Sequence, residues 1–260
     1  MLDAHLIIDP PAAGAWNMAV DEALLKSAND NGQVTLRFYE WAEPTLSLGY
    51  FQKSADRALH PASVDCAMVR RSSGGGAILH DRELTYSLSL PGTNRWSSKQ
   101  NDLYGTVHKA LVDFFNSSGI AAEQFEFPPT TTEAGKEGQP SQTADGNRDR
   151  FLCFERRTTG DIVLGEFKVG GSAQRRLSGA TLQHGSLLMQ RSQWAPELPG
   201  ISDLADVGAS KSELVEGMVN ALSAGLNLSL NTTSLSADQK KNAETILHEK
   251  YGNNDWTSKR

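Results

Sequence analysis

Residues 84–90, LTYSLSL, place Leu84, Tyr86, Leu88 and Leu90 at every second position, with Thr85, Ser87 and Ser89 between them. Successive side chains of a strand point to opposite faces, so this alternation specifies an extended segment with one apolar face. VTLRFYEW repeats the pattern, with Val34, Leu36 and Phe38 against Thr35, Arg37 and Tyr39; Glu43-Pro44 interrupts it before TLSLGYFQ resumes. CAMVRR and LQHGSLLM add further strands. These read as half-buried and mostly antiparallel, and such strands need a second layer over their apolar side.

Helical spacing supplies that layer. Trp16, Ala19, Val20, Ala23 and Leu24 share one stripe of NMAVDEALLKSA, and Leu103, Val107, Leu111 and Phe114 share another, which Gly119 is placed to terminate. Ser210 with Glu213, and Ser236 with Gln239, are capping boxes that open helices within 211–250. Residues 128–150, PPTTTEAGKEGQPSQTADGNRDR, hold no apolar residue larger than alanine or proline and are expected to form a mobile loop. With no internal repeat and no obvious linker, residues 1–260 read as one α+β domain with a mixed or antiparallel sheet flanked by helices.

Several function classes are excluded or disfavoured. No stretch is apolar enough for a membrane helix, and MLDAHLIIDPPAAGAW lacks the basic and apolar regions of an export signal. A net charge of -6 argues against a general nucleic-acid binder. Two cysteines, Cys66 and Cys153, are too few for a disulfide framework, and no cluster has metal-ligand spacing, so a reducing cytoplasm and no metal are expected.

Three segments can carry chemistry. In RRSSGGGAILHD, residues 70–81, three consecutive glycines let backbone amides approach a ligand, although a tight turn has the same composition. The segment has neither the lysine of a phosphate-binding loop nor dinucleotide-fingerprint spacing. In DIVLGEFKVG, a hairpin turning at Gly165-Glu166 sets Leu164 opposite Phe167 and Val163 opposite Lys168, with Phe167 and Val169 on the other face. Lys168 either blunts an edge strand or points a charge into a pocket. Cys153 lies between Leu152 and Phe154, as an inert buried thiol would. However, residues 148–176 hold seven basic side chains against four acidic ones, a setting that favours a thiolate and suits an acidic partner.

Together RFYEWAEPTLSLGYFQ, RRSSGGGAILHDRELTYSLSLP and GDIVLGEFKVGGSAQRR resemble the lipoate-protein ligase A/B superfamily, whose catalytic domain is related to that of biotin-protein ligases. The resemblance runs from about Trp16 to Met189, returns weakly in EKYGNNDW, and is greatest to the LipM-type octanoyltransferases. It implies that Cys153 is the acyl-accepting nucleophile and that Lys168 stabilises the thiolate and the oxyanion. Arg71, Gly74, Gly75, Gly76 and His80 are then the substrate loop, and Gly171, Ser172 and Ala173 lie by the acyl carbonyl and tail. The implied reaction passes an octanoyl group from acyl carrier protein to a lysine of a lipoyl domain, such as glycine cleavage H protein or a 2-oxoacid dehydrogenase E2 subunit, without a cofactor. ATP and Mg enter only if the chain is instead a lipoate-protein ligase; a transferase between lipoyl domains is a third possibility. One departure stands out: Arg157-Thr158-Thr159-Gly160-Asp161 replaces the Pro-Ser-Tyr-Glu type sequence usual after the cysteine, and leaves donor and acceptor open.

Overall fold

The computed structural model describes residues 1–96, 99–127 and 150–260. The loop expected at 128–150 lies outside the described residues except for Arg150.

The chain begins with a strand that hydropathy alternation did not single out, β1 (Leu2–Ile8), and crosses through α1 (Gly14–Asn31) to β2 (Thr35–Tyr39), which lies parallel to it. β3 (Thr45–Leu48), β4 (Ala67–Arg70) and β5 (Ile78–His80) form a separate small sheet with β3 in the middle. The chain continues through β6 (Glu83–Leu90), α2 (Gln100–Ser117), β7 (Glu123–Gln124), β8 (Ile162–Leu164), β9 (Phe167–Leu177) and β10 (Ala180–Leu188). A single turn α3 (Ile201–Leu204) leads to α4 (Lys211–Leu226), β11 (Leu228–Thr232), α5 (Ala237–Ile246) and a short α6 (Asn254–Thr257). The large sheet is mixed, in the order β11-β1-β2-β6-β10-β9-β8-β7. β11 divides the helical region expected over 211–250, and both capping boxes are made, with the Ser210 and Ser236 side chains accepting from Glu213 N and Gln239 N.

Leu36, Phe38, Tyr86 and Leu88 pack under Leu103, Val107 and Leu111 of α2 and under Leu214, Met218 and Leu222 of α4. The opposite face was expected to meet water, but every residue of β2 and β6 is buried. α1 covers this second face and presents Asn17 and Asp21 to it. Arg37 ion-pairs with Asp9 at 2.7 Å and with Asp21 at 2.9 Å, while Tyr39 and Ser87 donate to the two oxygens of Asp21 at 2.8 and 2.7 Å. Thr85, Ser87 and Arg37 therefore alternate with apolar residues because they face a buried polar layer. Buried charges of this kind persist only when paired and hydrogen-bonded.

Candidate active site

The polar layer floors a cavity whose walls come from both sheets and from the segment at Cys153. Leu152 bridges Ala77 in parallel, and the Cys153 amide donates to Ala77 O at 2.7 Å. This pairing carries the thiol to the end of the glycine segment, where Cys153 opens a 3-10 turn through Glu155.

Lys168 reaches the thiol because of an irregularity in the β8–β9 hairpin. Leu164 and Val163 do face Phe167 and Lys168, but the register then shifts between Val163 and Ile162, so that Ile162 meets Gly170. The extra residue breaks the expected alternation: Phe167 is 43% exposed, whereas Lys168 and Val169 are both buried. β9 also lies between β8 and β10, so Lys168 is not on an edge. Its ammonium is 2.8 Å from Asp161 Oδ2 and 3.8 Å from Cys153 Sγ. Burial alone would lower the Lys168 pKa; the Cys153 sulfur and the Asp161 carboxylate reverse this and raise it above the ordinary lysine value. Space for the ammonium exists because residue 171 is glycine, where a Cβ would lie 2.7 Å from Lys168 Cε and 3.0 Å from Nζ.

Asp161 is itself fixed by Tyr104 Oη at 2.6 Å and by the Thr158 amide at 2.7 Å. One turn further along α2, His108 Nδ1 lies 2.6 Å from Gly160 O and Nε2 lies 2.6 Å from Ser172 Oγ. A carbonyl only accepts, so the proton sits on Nδ1 and the Ser172 hydroxyl donates to Nε2. Burial pushes the His108 pKa down to about 4, which keeps the ring neutral. Ser172 Oγ consequently accepts from the Tyr86 hydroxyl, 2.6 Å away.

The glycine segment is held from beneath. Arg71 Nη1 donates to Ser47 O and Oγ at 2.6 and 2.7 Å, and Nη2 donates to the carbonyls of Gly74 and Gly76 at 3.1 and 2.8 Å. Burial lowers its pKa to about 10, still far above neutrality. With Arg71 donating into Ser47, the Ser47 hydroxyl donates to His80 Nε2 at 2.6 Å, and His80 Nδ1 donates to Glu83 at 2.6 Å. Trp41 stacks on the His80 ring at 3.8 Å between centroids. From the other side, His184 lies 2.6 Å from Ser73 Oγ and 3.4 Å from Asp21. Burial would raise the Asp21 carboxyl, but His184 and Arg37 hold it below the usual carboxylate range.

Arg71, Gly74, Gly75, His80, Cys153, Gly171, Ser172 and Ala173 all line the cavity. Gly76 does not; a Cβ there would run into the Arg156 guanidinium and lie 3.1 Å from the Cys153 amide. Lys168 stands behind Gly171 and approaches from below. Asp161, His184, Asp21, Ser47 and Glu83 were not singled out from sequence as site residues. Asp21 had a usable signal, a carboxylate inside the apolar stripe of α1, as did Tyr104 and His108, polar residues four apart on α2. Among the described residues no cluster of His, Cys, Asp and Glu has the makings of a metal site, and no helix is long and apolar enough to cross a membrane.

Residues 13–216 match the family described as the lipoyl protein ligase A/B catalytic domain. Among curated relatives, "Octanoyltransferase LipM" of Geobacillus kaustophilus is 30% identical over 278 residues, covering 96% of this chain and 95% of the relative. The protein of the same name from Bacillus cereus is 29% identical over 272 residues, covering 95% and 94%. A structure of a bipartite lipoate protein ligase and its E2 lipoyl domain from Thermoplasma acidophilum superposes with a TM-score of 0.75 at 19% identity, covering 99% of this chain and 97% of that one. A lipoate-protein ligase A bound with ATP superposes equally well, at 20% identity and 99% coverage of both chains. These two likenesses establish the fold.

Proposed function

The chain belongs to the lipoyl protein ligase A/B catalytic-domain family, and on that premise we propose that this acyltransferase, an octanoyltransferase of protein lipoylation, works through a thioester on Cys153. The observation that carries this reading is the Lys168 ammonium, buried and fixed 3.8 Å from Cys153 Sγ at the wall of the cavity.

In the first step the Cys153 thiolate attacks the carbonyl carbon of an octanoyl thioester carried by acyl carrier protein. A C–S bond forms to Cys153, the bond to the pantetheine sulfur breaks, and that sulfur leaves as a thiolate that takes up a proton. Lys168 lies where negative charge develops, on the sulfur and then on the oxyanion, and a charge fixed in advance needs no reorganisation. In the second step a lipoyl-domain lysine attacks as the neutral amine; the C–N bond forms, the C–S bond breaks, and the proton lost by nitrogen returns to Cys153 sulfur. Splitting the transfer in this way is nucleophilic catalysis, and thiol exchanged for thiol makes the first step nearly balanced.

Arg71 and His80 act on the substrate through the glycine segment, since their polar atoms are directed at Ser47, Glu83 and the loop carbonyls. An acyl thioester brings its own activation, so this reading requires neither ATP nor Mg. Lipoyl domains as acceptors are supported by the E2 lipoyl domain in the Thermoplasma acidophilum structure.

The test offers one lipoyl domain two donors. Octanoyl carrier protein without ATP should yield octanoylated lysine, and free octanoate with ATP and Mg should not. Amide formation only in the second mixture overturns the transferase in favour of a ligase.

A further inference from the structure

One side of the glycine segment faces the acyl cavity; the other packs on residues 49–51. Gly49 presses its backbone against the Gly75 carbonyl so closely that a Cβ would lie 2.0 Å from that oxygen, and the Tyr50 amide donates to Ser73 O at 2.9 Å. Beyond this contact the surface is aromatic and cationic. Lys259 Nζ is 3.8 Å from the Tyr50 ring centroid and 3.5 Å from that of Trp256, and Lys250 Nζ is 4.2 Å from Trp256. The Arg260 guanidinium lies 5.2 Å from Tyr50 and 5.4 Å from Phe51, a phenylalanine that is 71% exposed.

Two features show that this charge lacks its counterpart. Glu22 pairs with Lys250, but among the described residues no carboxylate pairs with Lys259 or Arg260. Beneath them Arg70 is fully buried; its Nε and Nη1 donate to the carbonyls of Thr257, Gly49 and Gln52, while its Nη2 has no partner. The cations also act on one another. Burial and then Arg260 lower the Arg70 pKa; burial, Arg175 and Lys259 lower that of Lys250 against the pull of Glu22. A chain of net charge -6 has concentrated positive charge here, with the exposed Phe51 ring beside Arg260, and Tyr50 ties this surface to the loop that lines the cavity. Like charges held together in this way favour an anionic occupant.

We propose that the surface formed by Tyr50, Phe51, Trp256, Lys250, Lys259 and Arg260 docks an acidic acyl carrier protein and receives the phosphodiester of its pantetheine arm, so that the thioester enters the cavity across the glycine segment. The proposal rests on the thioester-donor reading above and adds where that donor sits. Its partner is recognised by negative charge; the octanoyl chain and carbonyl are recognised separately in the cavity.

The experiment measures the rate of Cys153 acylation with two donors, octanoyl carrier protein and octanoyl-pantetheine, which lacks both the carrier and the phosphate. Lys259→Glu combined with Arg260→Glu is compared with wild type and with Lys240→Glu combined with Lys241→Glu, an equal charge change on exposed α5 positions. The patch variant should raise KM for octanoyl carrier protein about tenfold at low salt, less at high salt as the charges are screened, and at least fivefold more than it raises KM for octanoyl-pantetheine. The α5 variant should shift the carrier KM less than twofold. Equal losses on both donors, an unaffected carrier KM, or a defect confined to the lipoyl-domain step would overturn the docking proposal alone. Failure of the wild type to become acylated by either donor would overturn the thioester reading and the docking proposal with it.

Discussion

Replacing Asp161 with asparagine keeps the shape of the side chain and removes the charge that faces Lys168. In the wild-type protein the two side chains are 4% and 1% exposed and 2.8 Å apart, and Asp161 also accepts from Tyr104 and Thr158. Leaving a buried charge without its partner costs about 3–5 kcal/mol. Deprotonation limits the loss: discharging a lysine of ordinary pKa, about 10.4, costs about 5 kcal/mol at pH 7 and about 2 kcal/mol at pH 9. The pH dependence has a definite sign. Lys168 in the wild type has a raised pKa, so its stabilisation is fully present below the unfolded value and is lost only as pH rises through the higher folded value; between pH 7 and 9 it is constant. When both proteins also carry Cys153→Ser, so that no sulfur charge is left to hold the ammonium, burial in Asp161→Asn acts without the carboxylate, the folded pKa falls below the unfolded one, and the unfolded chain holds more protons, so stability rises with pH. Urea unfolding of both proteins should therefore show a deficit of about 3–5 kcal/mol at pH 7 that shrinks to about 2 kcal/mol at pH 9. A deficit below about 1 kcal/mol at pH 7, or one that is the same at both pH values, would refute the buried pair as described.

Gly171→Ala should push the Lys168 ammonium out of line and lower kcat for acyl transfer by about a hundredfold, with a small change in Tm; wild-type kcat in that variant would mean that the ammonium position is not critical. Gly49→Ala, whose Cβ meets a backbone oxygen, should cost about 1–3 kcal/mol in denaturant unfolding, whereas Gly74→Ala, with open space around its Cβ, should spare stability and raise KM; the reverse order would contradict the packing of the glycine segment. His108 has a folded pKa of about 4 against 6.5 for a free ring, so the protein should be fully stable above pH 6.5 and lose about 3 kcal/mol as pH falls to 4. His108→Gln should remove most of that slope in urea unfolding, and an unchanged slope would assign it to other groups.

Much of this arrangement was legible in the sequence, and the failures share a cause. Alternation identified β2 and β6, and the Gly165-Glu166 turn gave the right partners for Phe167 and Lys168, because period and turn chemistry are local. What alternation could not reveal was the medium on the polar side. Ser87 and Arg37 look solvent-facing, yet they meet Asp21 of α1, more than fifteen positions away, and Thr85 donates to Glu83 in the same buried layer. Likewise, the register shift that turns both Lys168 and Val169 inward depends on pairing with Ile162 and Gly170, which side-chain polarity does not encode. Asp161 was visible only as one acid among several basic residues. Its role follows from the turn at Thr158 and from Tyr104 on α2, both brought to it by the tertiary fold.

Covalent transfer through Cys153 is tested most directly by intact-mass spectrometry of the protein incubated with octanoyl carrier protein and no lipoyl domain. Without an acceptor amine the second step stops, so one octanoyl adduct should accumulate, map to Cys153 and not to the buried Cys66, and be released by neutral hydroxylamine as a thioester is. Absence of an adduct, an adduct that survives hydroxylamine, or full transfer activity in Cys153→Ser would contradict a covalent mechanism.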